Sequence, residues 1–270
     1  MVVQHNLTAM NTNRQLGLTT SAQAKSTEKL SSGYKVNRAG DDAAGLTISE
    51  KMRSQIRGLN KASENAQSGV SLVQTAEGAL NEAHSILQRM NEIATQAAND
   101  TNTTSDRTAI QKEIKQLSTE LTRISSTTQF NTMNLLDGKF KNKNLQVGAL
   151  SGQEITISIT SMSAETLGVN ALKVSSFTTA GNAMCAIQKA ISVVSAQRSD
   201  LGAIQNRLEY TINNLNTTSE NTSSAESLIR DTDMATEMVN YSKNQILAQA
   251  GQSMLAQANS ANQGVLSLLQ

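Results

Sequence analysis

The chain has no proline, no tryptophan, one cysteine and six aromatic residues among 270 positions. At the usual ~5% a chain of this length carries about 13 prolines, so their complete absence favours long uninterrupted helices and excludes a proline-rich linker. Aromatic side chains supply much of the buried area of a thick core, and at 2% they cannot do so here. A single Cys185 forms no internal disulfide, which removes the stapled framework of small secreted domains. Lysine and arginine total 23 against 22 acidic residues, and no run of five like charges occurs. This excludes a broad basic field for nucleic acid or an anionic membrane. No segment approaches the ~20 apolar residues of a membrane span, and the start, MVVQHNLTAMNTNRQLG, has neither the basic nor the apolar region of a cleaved signal peptide.

What is present is periodicity. Leu59, Ala62, Ala66, Val70, Val73, Ala76, Leu80, Ala83, Leu87, Met90, Ala94 and Ala97 follow one another in steps of three and four. That is a coiled-coil seam whose small knobs allow close helix approach. A shorter helix from about Asp42 to Arg57 feeds into it, with Gly58 expected to bend or interrupt the join. Together, residues 42 to 98 predict a rod of about 85 Å. The polar cluster NDTNTTSD reads as an αα-hairpin turn, with Ser105 or Asp106 capping a second helix that carries Ile110, Ile114, Leu117, Leu121 and Ile124. After Phe130, Asp137-Gly138 reads as a hairpin turn and EITISIT at 154–160 as a strand, so residues 130 to about 180 are expected to form a small β-rich tip.

A third rod helix begins near Gly181, with Ile187, Ile191, Val194, Leu201, Ile204, Leu208 and Leu215 on one stripe. The Ser/Thr/Asn patch at 216–224 is expected to separate it from a last helix bearing Leu247, Met254, Val265 and Leu268. The N-terminal segment places Val3, Leu7 and Met10 at similar spacing. Both ends are thus apolar where chain termini usually fray, so their faces need a cover, and other copies of the chain would supply it. A head-to-tail interface that does not close generates an open filament. The expected fold is mainly α, with long antiparallel helical hairpins forming a rod and a small β-hairpin region mid-chain.

Chemistry is sparse. His5 and His84 lie far apart on a rod, Cys185 in a helix reads as a small apolar filler, and Asp231 and Asp233 lack the spacing of a calcium loop and suit a helix cap better. No glycine-rich phosphate loop occurs, so no catalytic residue, metal or cofactor is expected.

The stretches STEKLSSGYKVNRAGDDAAGLTISEKMRSQIRGL at 26–59 and SLVQTAEGALNEAHSILQRMNEIATQAAN at 71–99 resemble the N-terminal signature of bacterial flagellin, and residues 201–270 resemble its C-terminal end. Only about 130–180 lacks specific resemblance. The resemblance implies an extracellular filament subunit exported without a cleaved signal peptide. Residues 1–40 with 230–270 would form an inner coiled-coil domain and 41–229 a rod-like outer domain. Implied partners are further copies of the chain, an export chaperone, cap and hook-junction proteins, and the vertebrate Toll-like receptor for flagellin. The receptor motif reads Leu87 to Ala94, with Gln88, Arg89, Ile93 and, on the neighbouring helix, Glu113 as contacts; Ile93 stands where the family often has Leu. Subunit packing or plain solvent exposure is the other reading of Arg89 and Glu113. A hook-filament junction protein and a closed coiled-coil stalk are the competing identities.

Overall fold

A computed structural model describes residues 6–267, with side chains through residue 261. Val3, Leu268 and His5 lie outside the described residues, as does the side chain of Val265. In chain order the elements are α1 (Leu7–Ser32), α2 (Ala43–Ala97), α3 (Thr104–Thr127), β1 (Gln129–Phe130), β2 (Met133–Asn134), β3 (Lys143–Gln146), β4 (Glu154–Ile157), α4 (Phe177–Arg230) and α5 (Met234–Ser267). The chain divides into two compact units, one comprising Met1–Ser54 and Glu220–Gln270, the other Gln55–Ser219. The helices break at 33–42 and 231–233, near the domain limits expected from the sequence, whereas the compact units part inside α2 and α4.

In the second unit every member of the α2 seam from Leu59 to Ala97 is buried. α3 returns antiparallel to it, and Ile110, Ile114 and Leu121 close the interface. Thr103 rather than Ser105 or Asp106 caps α3. Its hydroxyl accepts from the Asp106 N–H while the Asp106 carboxylate accepts from the Thr103 N–H at 2.9 Å, a reciprocal capping box. α4 also runs antiparallel to α2: Ser63 bonds Asn216 at 3.0 Å, Ser219 bonds Asn60 at 2.8 Å, and Arg198 faces Glu77 at 3.6 Å. Its stripe residues Ile187, Val194, Leu201 and Leu208 complete the core.

Three expectations are corrected here. α2 passes Gly58 without interruption, because what the glycine provides is room for a neighbour: a Cβ there would stand 2.9 Å from the Ala149 Cβ. Gly69 likewise makes space for Leu145. α4 continues through 216–224, since that patch contains no glycine or proline and hydroxyls in it are satisfied without breaking the helix, as when Thr217 donates to the Asn213 carbonyl at 2.9 Å. The break comes at 231–233, where the Asp233 carboxylate accepts from the Ala235 and Thr236 N–H groups and caps α5.

The third correction concerns residues 129–176, which are a flanking cover rather than a tip. β1 and β2 pair across Asn131 and Thr132, both with positive φ (47° and 64°), as a two-residue hairpin turn requires. Asp137-Gly138 does turn, with Gly138 at φ 84° and the Asp137 carboxylate accepting from the Lys139 N–H, but β2 and β3 do not pair across it. β3 and β4 form their own hairpin, in which Ile155 and Ile157 point inward and Glu154 and Thr156 outward. The segment lies along the helices. Ser125 donates to the Leu136 carbonyl at 2.7 Å, Thr160 donates to the Gln197 side chain at 2.9 Å, and Leu135, Phe140, Ile159 and Val174 join the helical core.

Candidate functional site

The first unit is built on the pairing of α1 with α5. Asn6 caps α1 by accepting from the Ala9 N–H, and its amide donates to the Ala258 carbonyl at 3.0 Å. Leu16 packs on Gly251, where a Cβ would come within 3.2 Å of it, and Lys29 approaches Glu237 at 4.0 Å. The helices are therefore antiparallel. Their inward positions again step by three and four: Ala9, Thr12, Leu16, Thr19, Gln23 and Ser26 on α1, and Tyr241, Asn244, Ala248, Gly251, Leu255 and Ala258 on α5. This seam is small or polar through most of its length.

The large apolar side chains sit elsewhere. Leu7 and Met10 are 68% and 66% exposed, and Met254 and Leu247 are 61% and 47% exposed; Leu18, Met238, Val239 and Ile246 join them. Apolar exposure on this scale along a helix pair marks a contact surface. The self-assembly residues expected on the described part of the termini are thus all presented outward.

The two breaks of the unit are clasped to each other. Gly33 ends α1 in the left-handed conformation at φ 76°, its carbonyl accepts from the Thr232 N–H at 3.0 Å, and the Lys35 N–H donates to the Arg230 carbonyl at 2.6 Å. The Arg230 guanidinium lies 4.7 Å over the Tyr34 ring, a cation–π arrangement. Sequence periodicity says nothing about this contact, because it joins the loop after α1 to the C-terminal end of α4 and the break beyond it.

In the second unit Arg89 anchors an exposed polar cluster. Its Nε and Nη2 donate to Glu113 Oε1 at 3.2 and 3.1 Å, and its Nη1 to Glu92 Oε2 at 3.2 Å. Hydrogen bonding to Glu113 first, then to Glu92, raises the guanidinium above its ordinary value. Gln88 is exposed beside it and pairs with His84 at 3.0 Å. Ile93 departs from expectation: it is buried at 2% exposure in the α2 core with Met90 and Ala94, and offers no surface to a partner. Cys185 departs in the opposite sense, being exposed on α4 and therefore no packing filler. Among the described residues no three His, Cys, Asp or Glu side chains gather as metal ligands.

Residues 3–141 match the bacterial flagellin N-terminal helical region and residues 184–269 the bacterial flagellin C-terminal helical region. The chain belongs to the bacterial flagellin family. It is 54% identical over 271 residues to a flagellin of Halalkalibacterium halodurans, covering all of both chains. It is 50% identical, again over the whole of both chains, to the flagellar filament 31.3 kDa core protein of Treponema maltophilum. The crystal structure of Bacillus cereus flagellin superposes with a TM-score of 0.50 at 30% identity, covering 60% of this chain and 94% of that one. This flagellin is accordingly a structural subunit of the extracellular flagellar filament and not an enzyme. Among the described residues no helix is long and apolar enough to cross a membrane.

Proposed function

We propose that this flagellin polymerises through the apolar side chains that α1 and α5 hold outside their own seam, and that the resulting filament serves motility. The observation that carries this reading is the exposure of Leu7, Met10, Leu247 and Met254 along a helix pair whose inner seam is polar. Burying such side chains contributes about 1.5–3 kcal/mol each, and only neighbouring copies are on hand to bury them. In this reading the α1/α5 unit lines the inner tube and the α2–α4 unit forms the outer layer. The chain travels through the flagellar export route, with a chaperone covering α5 beforehand and cap and hook-junction proteins at the filament ends.

Negative-stain microscopy of seeded subunits tests the assignment. The wild-type chain is expected to extend seeds into filaments of uniform width, whereas Leu247→Asp/Met254→Asp is expected to remain monomeric with unchanged helix content. Filaments from the double variant would overturn the assigned surface, and a wild-type chain that never extends seeds would favour a hook-filament junction protein.

A second reading rests on the Arg89 cluster: recognition by the vertebrate Toll-like flagellin receptor through Gln88, Arg89 and Glu113. The support is their exposure together on α2 and α3, with Arg89 fixed by two carboxylates in a presented geometry. Arg89→Ala is expected to abolish monomer binding to the receptor ectodomain while leaving thermal stability unchanged; retained binding would overturn it.

A further inference from the structure

The large apolar side chains left outside the α1/α5 seam are not chemically alike. Leu7, Val239 and Ile246 are hydrocarbons, whereas Met10, Met234, Met238 and Met254 carry thioethers and are 48% to 66% exposed. In the α2–α4 unit methionine is used differently: Met90 and Met162 are buried, Met184 is half-buried and Met133 is exposed. The α1/α5 pair also sets two of its thioethers at one level. Asn6 meets Ala258 and Leu16 meets Gly251, so Met10 and Met254, each falling between those contacts on antiparallel helices, stand at the same height. A groove of about 430 Å³ opens there, lined by Met254, Leu247, Thr12, Leu16, Ala250 and Gly251. A small water-soluble oxidant therefore reaches Met254 without any separation of the helices.

Hydrogen peroxide oxidises a thioether in one balanced step. A sulfur lone pair takes the distal oxygen, the S–O bond forms as the O–O bond breaks, and the departing hydroxide collects the transferred oxygen's proton and leaves as water. Sulfur gives up two electrons and the peroxide is reduced. The sulfoxide is polar and chiral, a strong hydrogen-bond acceptor that is costly to bury without a donor. In the free subunit it stays in water, because all four methionines stand outside the buried cores. The cost arises only when a neighbouring copy covers the face.

We infer that Met10, Met234, Met238 and Met254 form an oxidation-sensitive switch on the α1/α5 face, where conversion to sulfoxides by a peroxide stops subunit addition and enzymatic reduction restores it. This rests on the polymerisation reading above. Leucine has the same helix propensity as methionine and no oxidisable atom, so the sensitivity belongs to these four side chains rather than to the face as a whole. Cys185 is the other exposed sulfur, but it lies on α4 in the other compact unit.

The test uses the full chain with Cys185→Ser, treated with hydrogen peroxide, mapped by peptide mass spectrometry and then offered to untreated seeds. Met10, Met234, Met238 and Met254 are expected to gain one oxygen each before Met90 and Met162 do, with helix content unchanged. Seeded extension is expected to fall at least about tenfold and to return after methionine sulfoxide reductases for both epimers have acted. In Met10→Leu/Met234→Leu/Met238→Leu/Met254→Leu, scored against its own untreated sample, oxidation is expected to change extension by less than about twofold. An oxidised parent that extends undiminished, a loss that reductase does not reverse, or an equal loss in the leucine variant would overturn the switch. Helix content that falls on oxidation would overturn it too, by tracing the effect to unfolding. Should the leucine variant extend no seeds, the parent's recovery decides: it is expected to follow reduction of these four sites, and recovery that follows Met133 instead would overturn the switch. An untreated parent that extends no seeds would overturn the polymerisation reading itself, and the switch with it.

Discussion

The two units solve helix packing in opposite ways. In the α2–α4 unit the three-and-four stepping positions are Leu, Ile, Val, Met and Ala, all turned inward, so the unit covers its own apolar surface. In the α1/α5 unit the same stepping selects mostly Thr, Gln, Ser, Asn, Gly and Ala, with Leu16, Tyr241 and Leu255 the larger exceptions, while Leu7, Met10, Ile246 and Met254 face outward. The period is shared, but what occupies it decides whether a unit is complete in itself. The α2–α4 unit buries its apolar core within the subunit, whereas the α1/α5 unit leaves large apolar side chains exposed.

The largest expected effect lies in the self-contained unit. Leu80 is fully buried, and Leu80→Ala is expected to cost about 3–5 kcal/mol and to lower the denaturant midpoint of the monomer accordingly. A midpoint left unchanged would show that the second unit is not the source of monomer stability. A smaller effect is expected at Gly58, where a large side chain collides with Ala149. Gly58→Leu should destabilise by about 1–3 kcal/mol, against a helix-propensity gain that alone would favour it, so an unchanged or raised midpoint would break the close-approach argument.

Acid sharpens the comparison further. Hydrogen bonds from Thr236 and Ala235 hold the Asp233 carboxyl below the usual carboxylate range, and those from Thr103 do the same for Asp106. A depressed folded value means that the stabilising contribution is present above the unfolded value, near pH 4, and is lost as pH falls through the folded one. Protection of the Ala235 and Thr236 amides, taken relative to intrinsic exchange at each pH, should therefore fall below about pH 4. In Asp233→Asn, which keeps a capping oxygen but does not titrate, this loss of protection should be absent. The smallest expected effect is the most diagnostic: Leu18→Ser on the outer face of α1 should shift monomer stability by less than about 0.5 kcal/mol. A large shift would mean that Leu18 is already covered within the subunit.

Periodic features were legible in the sequence because each is a local consequence of helix geometry. The seam from Leu59 to Ala97, the α3 stripe and the outward terminal side chains all follow from spacing alone. Features that depend on what comes alongside were not legible. Gly58 reads as a flaw in a helix until Ala149 is seen against it. Ile93 reads as part of an exposed motif, yet with two helices packed on α2 the buried arc widens to include it. The flanking path of residues 129–176 is set by isolated contacts such as Gln111 with Leu172 and Val174, which leave no repeating signal.

The polar seam between α1 and α5 also bears on kinetics. A helix pair that buries little apolar surface of its own gains little from closing, while fixing each residue's backbone costs about 1–2 kcal/mol. Much of that ordering is therefore charged to the moment a subunit joins its neighbours, when the outward side chains become covered. Two free subunits meeting in solution cover only part of those faces, but a subunit arriving at an existing filament end finds several neighbours at once. The seam is thus expected to place a nucleation barrier in the subunit, so that unseeded chains show a lag which added filament ends remove.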